Sequence, residues 1–152
     1  MSDREADLSE VVQEDHEAVL ALIARFYEAL RAMFSGDASG FADVFSPTED
    51  ILYCPAEGGV IRGFTAAAAD WARQADASRG GEVDVISQDV LLQGQLAIVI
   101  SLTSVVLQSS EGPRSLRVRE SSVCRLESGQ WKIISHHADA LDVWEAVVTA
   151  VG

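Results

Sequence analysis

From residue 8 to residue 34, apolar side chains recur three and four positions apart: Val12, Val19, Ile23, Phe26, Leu30 and Met33. That spacing gathers them on one face of a long helix. Asp7 and Glu10 are placed for a capping box at its start, and Gly36 for its stop. Asp37 then predicts the cap of a short second helix carrying Phe41, Val44 and Phe45, ended by Pro47. Residues 51–54 read as a strand, 55–59 as a turn, and Val60 with Ile61 as a short returning strand. Gly63 and Thr65 open a third helix over residues 66–77, rich in alanine, and Gly80 and Gly81 close it.

The second half changes period. Residues 83–92, 96–108, 115–126 and 131–138 are four runs rich in β-branched residues. They are separated by Gly94, by Glu111-Gly112-Pro113 and by Ser128-Gly129, which predicts consecutive antiparallel hairpins. Helices first and a meander after make an α+β arrangement, one curved sheet with helices over one face. Leu141, Trp144, Val148 and Val151 are spaced for a short terminal helix.

The chain has 152 residues, a length that suits one domain over 1–152, with a core at about 8–139 and a helical extension at 140–152. Its formal net charge of −13 argues against nucleic-acid phosphates and anionic lipid surfaces as partners. The first 17 residues carry seven acids and one arginine, without the basic start and apolar stretch of a secretory signal, so a cytoplasmic location is expected. Leu96 to Leu107 is too short and too β-branched for a spanning helix. Cys54 and Cys124 lie far apart without CxxC spacing and are expected as two buried free thiols.

The order FYEAL (26–30), GDASGFADVFSPTEDILYCPAEGGVIRGFTAAAADW (36–71), GQLAIV (94–99) and GQWKIISHHAD (129–139) resembles the SnoaL-like, nuclear transport factor 2-like superfamily. That superfamily includes ketosteroid isomerases, scytalone dehydratase, polyketide cyclases and the association domain of calmodulin-dependent kinase II. The ending looks closest to the kinase-association branch. The resemblance implies a cystatin-like cone: a strongly bent, mainly antiparallel sheet around a long N-terminal helix and two further helices, with a pocket inside. The fold hosts many functions and does not settle activity.

Ketosteroid isomerases carry an aspartate base before the proline of the first strand's turn. Cys54 stands there, before Pro55. Tyr27 matches their oxyanion tyrosine if two residues are inserted before Gly36-Asp37, and their late aspartate falls at Ser121 or Ser122. Two of three roles are missing, which excludes steroid isomerisation by that mechanism. A buried thiol is a poor carboxylate substitute, and Cys54 is better read as a small hydrophobe.

Other residues can still move protons. Strict alternation over residues 116–126 puts Glu120 amid the apolar face of Leu116, Val118, Ser122, Cys124 and Leu126. A carboxyl there suits a general acid or base, or else a structural ion pair; one β-bulge would turn it outward. The other face carries Arg117, Arg119 and Arg125, expected to be solvated or subunit-facing. His136 and His137 point to opposite faces. His137 aligns with the family's usual histidine, and Ala138 stands where the kinase association domain carries a pocket arginine. His136 shares the side of Ala138 and is the better candidate for proton transfer. Tyr53 and Trp71 complete the candidate pocket, with core packing as their competing role. Neighbouring histidines on a strand cannot easily share an ion, so no metal is expected, and no phosphate-loop or nucleophile motif points to a cofactor.

Three functions remain open. One is an isomerase, cyclase or dehydratase acting on an apolar carbonyl compound through His136, Glu120 and Tyr27, with Cys54, Trp71, Ser122, Tyr53 and Ala138 around the ligand. Another is a non-catalytic ligand-binding module. The third is an oligomerisation module, a homodimer formed through an outer sheet face of Trp131, Ile133, Val123 and Ser135.

Overall fold

The N-terminal helix α1 runs over Asp3–Phe34, and its length follows from the cap chosen. Ser2 rather than Asp7 is the N-cap: its side chain accepts from the Glu5 backbone N–H, and the Glu5 carboxylate returns to the Ser2 N–H at 2.9 Å. This capping box adds a turn and a half of polar helix ahead of the apolar stripe. Val12 therefore lies on an exposed stretch, and burial begins at Val19. These features come from a computed structural model that describes residues 2–141. The expected terminal helix of Leu141, Trp144, Val148 and Val151 falls on residues 142–152, outside that range but for Leu141.

Gly36, at φ +95°, turns the chain out of α1. Asp37 does not cap the next helix; its carboxylate accepts from the Ser39 N–H at 2.9 Å and shapes the turn before it. Helix α2 (Phe41–Val44) starts at Gly40, which packs against Ala29 of α1. Strands β1 (Leu52–Cys54) and β2 (Ile61–Arg62) form a small hairpin. Helix α3 (Phe64–Ala77) has no cap from its own N-cap residue, Gly63. The Glu49 carboxylate supplies an acceptor instead, taking the Thr65 N–H at 3.3 Å and its hydroxyl at 2.8 Å.

Strands β3 (Gly81–Gln93), β4 (Leu96–Ser109), β5 (Gly112–Glu127) and β6 (Gln130–Ala140) form the expected meander. The six-stranded sheet has the order β2-β1-β6-β5-β4-β3, antiparallel except for the parallel pair β1–β6. It is not closed into a barrel. α1 packs on its inner face against β3 and β6, and α2 and α3 pack against α1. Phe26, Phe41, Phe45, Tyr53 and Trp71 meet in one aromatic cluster, with Phe41 and Phe45 stacked at 4.2 Å between centroids.

Alternation holds along β4 and β5. Val99, Ser101, Thr103, Val118, Glu120, Ser122 and Cys124 are buried, while Arg117 and Arg119 are exposed. It fails along β6. Val123 pairs with Ser135 but Cys124 pairs with Ile133, so Ile134 is an extra residue in the ladder. The bulge reverses parity: Trp131 and Ile133 turn into the core, beside His136 and Ala138. Of the expected outer face of Trp131, Ile133, Val123 and Ser135, Trp131 and Ile133 are corrected accordingly, while Val123 and Ser135 stay paired and half-buried on the side away from Ser122, Cys124 and His136. The apolar residues exposed on the outer face of β3 and β4 are Leu91, Leu96, Ile98 and Ile100.

Candidate functional site

A cavity of about 110 Å³ opens between α1, α3 and the inner face of the sheet. Phe26, Leu30 and Phe34 line it from α1, and Trp71 and Gln74 from α3. Tyr53, Pro55 and Ala56 close one side, and Val105, Leu107, Leu116, Val118 and Ala138 form the sheet wall. Two ionisable side chains line this apolar space, Glu120 from β5 and His136 from β6.

Glu120 is 6% exposed and His136 is 3% exposed. Burying a carboxyl is costly unless donors meet it. Tyr27 donates its hydroxyl to Glu120 Oε2 at 2.8 Å. The Thr103 hydroxyl is shared between the same oxygen, at 3.2 Å, and the Val118 carbonyl, at 3.3 Å. Oε1 is left facing His136 Nε2 at 3.5 Å. On the far side of the imidazole, Nδ1 lies 2.8 Å from Ser122 Oγ. Phe26 packs on the ring at 4.5 Å between centroids. Oε2 and Nδ1 are thus held by hydroxyl groups, and Oε1 and Nε2 face each other without one.

The structure separates the predicted site residues into three groups. Glu120, His136, Tyr53, Trp71 and Ala138 line the cavity. Tyr27 and Ser122 stand behind it. Tyr27 does not face the cavity as a ligand polariser, because its hydroxyl is committed to Glu120. Burial, and then the nearby Glu120 charge, raise its pKa well above the usual tyrosine range, so it stays a donor. Cys54 belongs to neither group. On a strand whose Tyr53 points inward, the next residue points away, and Cys54 sits in register with the exposed His137. His137 instead meets Asp139, Nε2 to Oδ2 at 2.9 Å.

Sequence reasoning missed Thr103 and Gln74. Thr103 was marked by its place two residues after Ser101 on the buried face of an otherwise apolar strand. Gln74 donates to the Tyr53 hydroxyl at 3.1 Å and to Asp70 at 2.7 Å, fixing one wall. Nothing in the local sequence signals that contact. Among the described residues no cluster of three metal-ligating side chains is found, and no helix is long and apolar enough to cross a membrane.

Known structures share this fold. An NTF2-like protein with a cystatin-like fold from Novosphingobium aromaticivorans superposes with a TM-score of 0.73 at 22% identity, covering 93% of this chain and 91% of its own. A protein of the NTF2-like family from Streptomyces avermitilis, provisionally named a dehydratase, gives 0.74 at 20% identity, covering 84% and 96%. The CaMKII hub of S. rosetta gives 0.65 at 23% identity, covering 82% and 95%. Among curated proteins none matches significantly. The family model of the SnoaL-like domain matches residues 19–141, from the first buried residue of α1 to the end of the sheet. The chain therefore belongs to the SnoaL-like family.

Proposed function

We propose that this protein is a small-molecule enzyme that moves a proton on a compact apolar carbonyl compound, with Glu120 and His136 as the acid–base pair. One observation carries the reading: two buried ionisable groups face one apolar cavity at 3.5 Å, each oriented by a hydroxyl on its other side. Tyr27 and Ser122 are positioning residues in this scheme. Isomerisation, cyclisation and dehydration all include removal of a proton beside a carbonyl, and the pair supplies a group to take it and one to return it.

The test is deuterium incorporation from D₂O into cyclohexanone and acetophenone, read by NMR. Wild type exchanges the protons beside the carbonyl faster than buffer. Glu120→Gln and His136→Ala each lose about 10²–10⁴-fold while keeping the native circular-dichroism spectrum. Full activity in both variants overturns the assignment. Binding without exchange favours the alternative, a non-catalytic ligand-binding module.

We also propose that the chain forms a homodimer through the outer face of β3 and β4. Leu91 and Ile98 are register partners there, and Leu96 and Ile100 flank them on the same face, all exposed. Its likeness to a protein named as a hub supports association. A monomer by light scattering at micromolar concentration sinks this proposal.

A further inference from the structure

The apolar cavity adjoins a second, polar chamber of about 200 Å³. Phe34, Gln74 and Leu107 line both, so the two spaces meet at these three side chains. Three charged side chains line the second chamber: Glu57, Arg73 and Arg79. Arg73 is engaged, paired with Glu57 and with Asp70. Arg79 is exposed, and its side chain has no ion-pair or hydrogen-bond partner among the described residues. Two arginines against one glutamate leave the chamber positive, in a chain whose net charge is −13. The backbone that carries Arg79 is fastened on both sides. In the link between α3 and β3, the Ser78 hydroxyl donates to the Phe34 carbonyl at the end of α1, at 2.6 Å. The Gly80 carbonyl accepts the Gln108 N–H of β4 at 3.0 Å.

We infer that the second chamber is a subsite for the acidic tail of a ligand whose carbonyl-bearing head occupies the cavity, with Arg79 as the tail's counter-ion. The cavity itself is unsuited to the acid: Glu120 lines it and no lysine or arginine does, so a carboxylate there would meet like charge without a counter-ion. Its volume of about 110 Å³ is close to the roughly 150 Å³ of a cavity that admits benzene, so it encloses a single small ring. Anything longer has the chamber beyond Phe34, Gln74 and Leu107 to enter. A guanidinium pairs with acid oxygens in a planar fork. One untied arginine matches the single charge of a carboxylate better than the −1.5 to −2 or so of a phosphate. The ligand class is therefore a small cyclic ketone bearing a carboxylate-terminated side chain.

The inference rests on the proposed cavity for its location, and its test reads binding rather than turnover. Isothermal titration compares 3-(2-oxocyclohexyl)propanoate and 5-(2-oxocyclohexyl)pentanoate with their methyl esters, which keep the ring and remove the charge. The expected result is that at one or both lengths the acid binds about fivefold tighter than its ester, by a margin that shrinks as salt is added. That margin vanishes in Arg79→Gln and survives in part in Arg79→Lys; both variants change an exposed side chain and keep the native circular-dichroism spectrum. Acids that bind no better than their esters at either length, or a margin unchanged in Arg79→Gln, overturn the inference and leave the cavity reading standing. Failure of acids, esters and cyclohexanone alike to bind at millimolar concentration overturns both. Binding with the margin but without deuterium exchange spares the inference and overturns the acid–base reading instead.

Discussion

Tyr27 on α1 and Glu120 on β5 lie 93 residues apart in sequence and share a buried hydrogen bond of 2.8 Å. The bond ties the first helix to the centre of the sheet and fixes which carboxylate oxygen faces the cavity. Removing the hydroxyl in Tyr27→Phe leaves a buried carboxyl with one donor fewer. Stability should fall by about 1–3 kcal/mol in urea unfolding, and deuterium exchange should fall with it. Unchanged values of both would mean that Thr103 alone holds Glu120.

The buried hydroxyl and thiol groups set an alkaline limit. Burial pushes the Cys124 thiol up to about 12, from 9.0. Below pH 9 it is protonated in both folded and unfolded chains and stability is unaffected. Above that, the unfolded chain ionises first, so stability falls by about 1.4 kcal/mol per pH unit until the folded thiol also ionises. Tyr27 and Tyr53, both raised mainly by burial, add the same sign above pH 10. Urea midpoints stepped from pH 8 upward should fall, and Cys124→Ala should flatten the first part of that fall.

The long helix depends on a close approach to α2. A Cβ on Gly40 would lie 2.6 Å from the Ala29 Cβ. Gly40→Ala should destabilise the fold by about 1–3 kcal/mol, by displacing α2 and with it Phe41 and Phe45. Adding Ala29→Gly should recover part of the loss despite the helix penalty of about 1 kcal/mol, and strict additivity would argue against the contact.

The outer face offers a separate handle. Ile98→Arg should give a monomer by light scattering with the thermal midpoint little changed, since exposed substitutions usually cost about 0.5 kcal/mol or less within a protomer. An unchanged dimer would move the interface elsewhere.

How much of this was legible in the sequence differs from residue to residue. Periodicity placed the buried face of α1, because burial on one face imposes a period the chain cannot hide; alanine content placed α3, and β-branched runs between turn residues placed all four meander strands. Glu120 was readable from alternation along its own strand: it interrupts an apolar face without breaking the period. Trp131 and Ile133 were misplaced because a single extra residue, Ile134, reverses parity, and a bulge has no fixed sequence signature. Cys54 was assigned to the pocket by alignment with a catalytic position, although Tyr53 and Cys54 cannot both face inward. Tyr27 was recognised but given the wrong partner, since only tertiary structure shows that its hydroxyl is taken. The start of α1 was misjudged because Ser2-x-x-Glu5 and Asp7-x-x-Glu10 are equally good caps, and the earlier one prevails.

The central claim is that Glu120 Oε1 and His136 Nε2 face a ligand in one apolar cavity. A crystal structure with cyclohexanone bound tests it most directly. The account predicts the ring between Phe26 and Trp71, with a carbon beside the carbonyl about 3–3.5 Å from one of those two atoms. A cavity closed by its own side chains, or a ligand bound where neither atom can reach it, would contradict it.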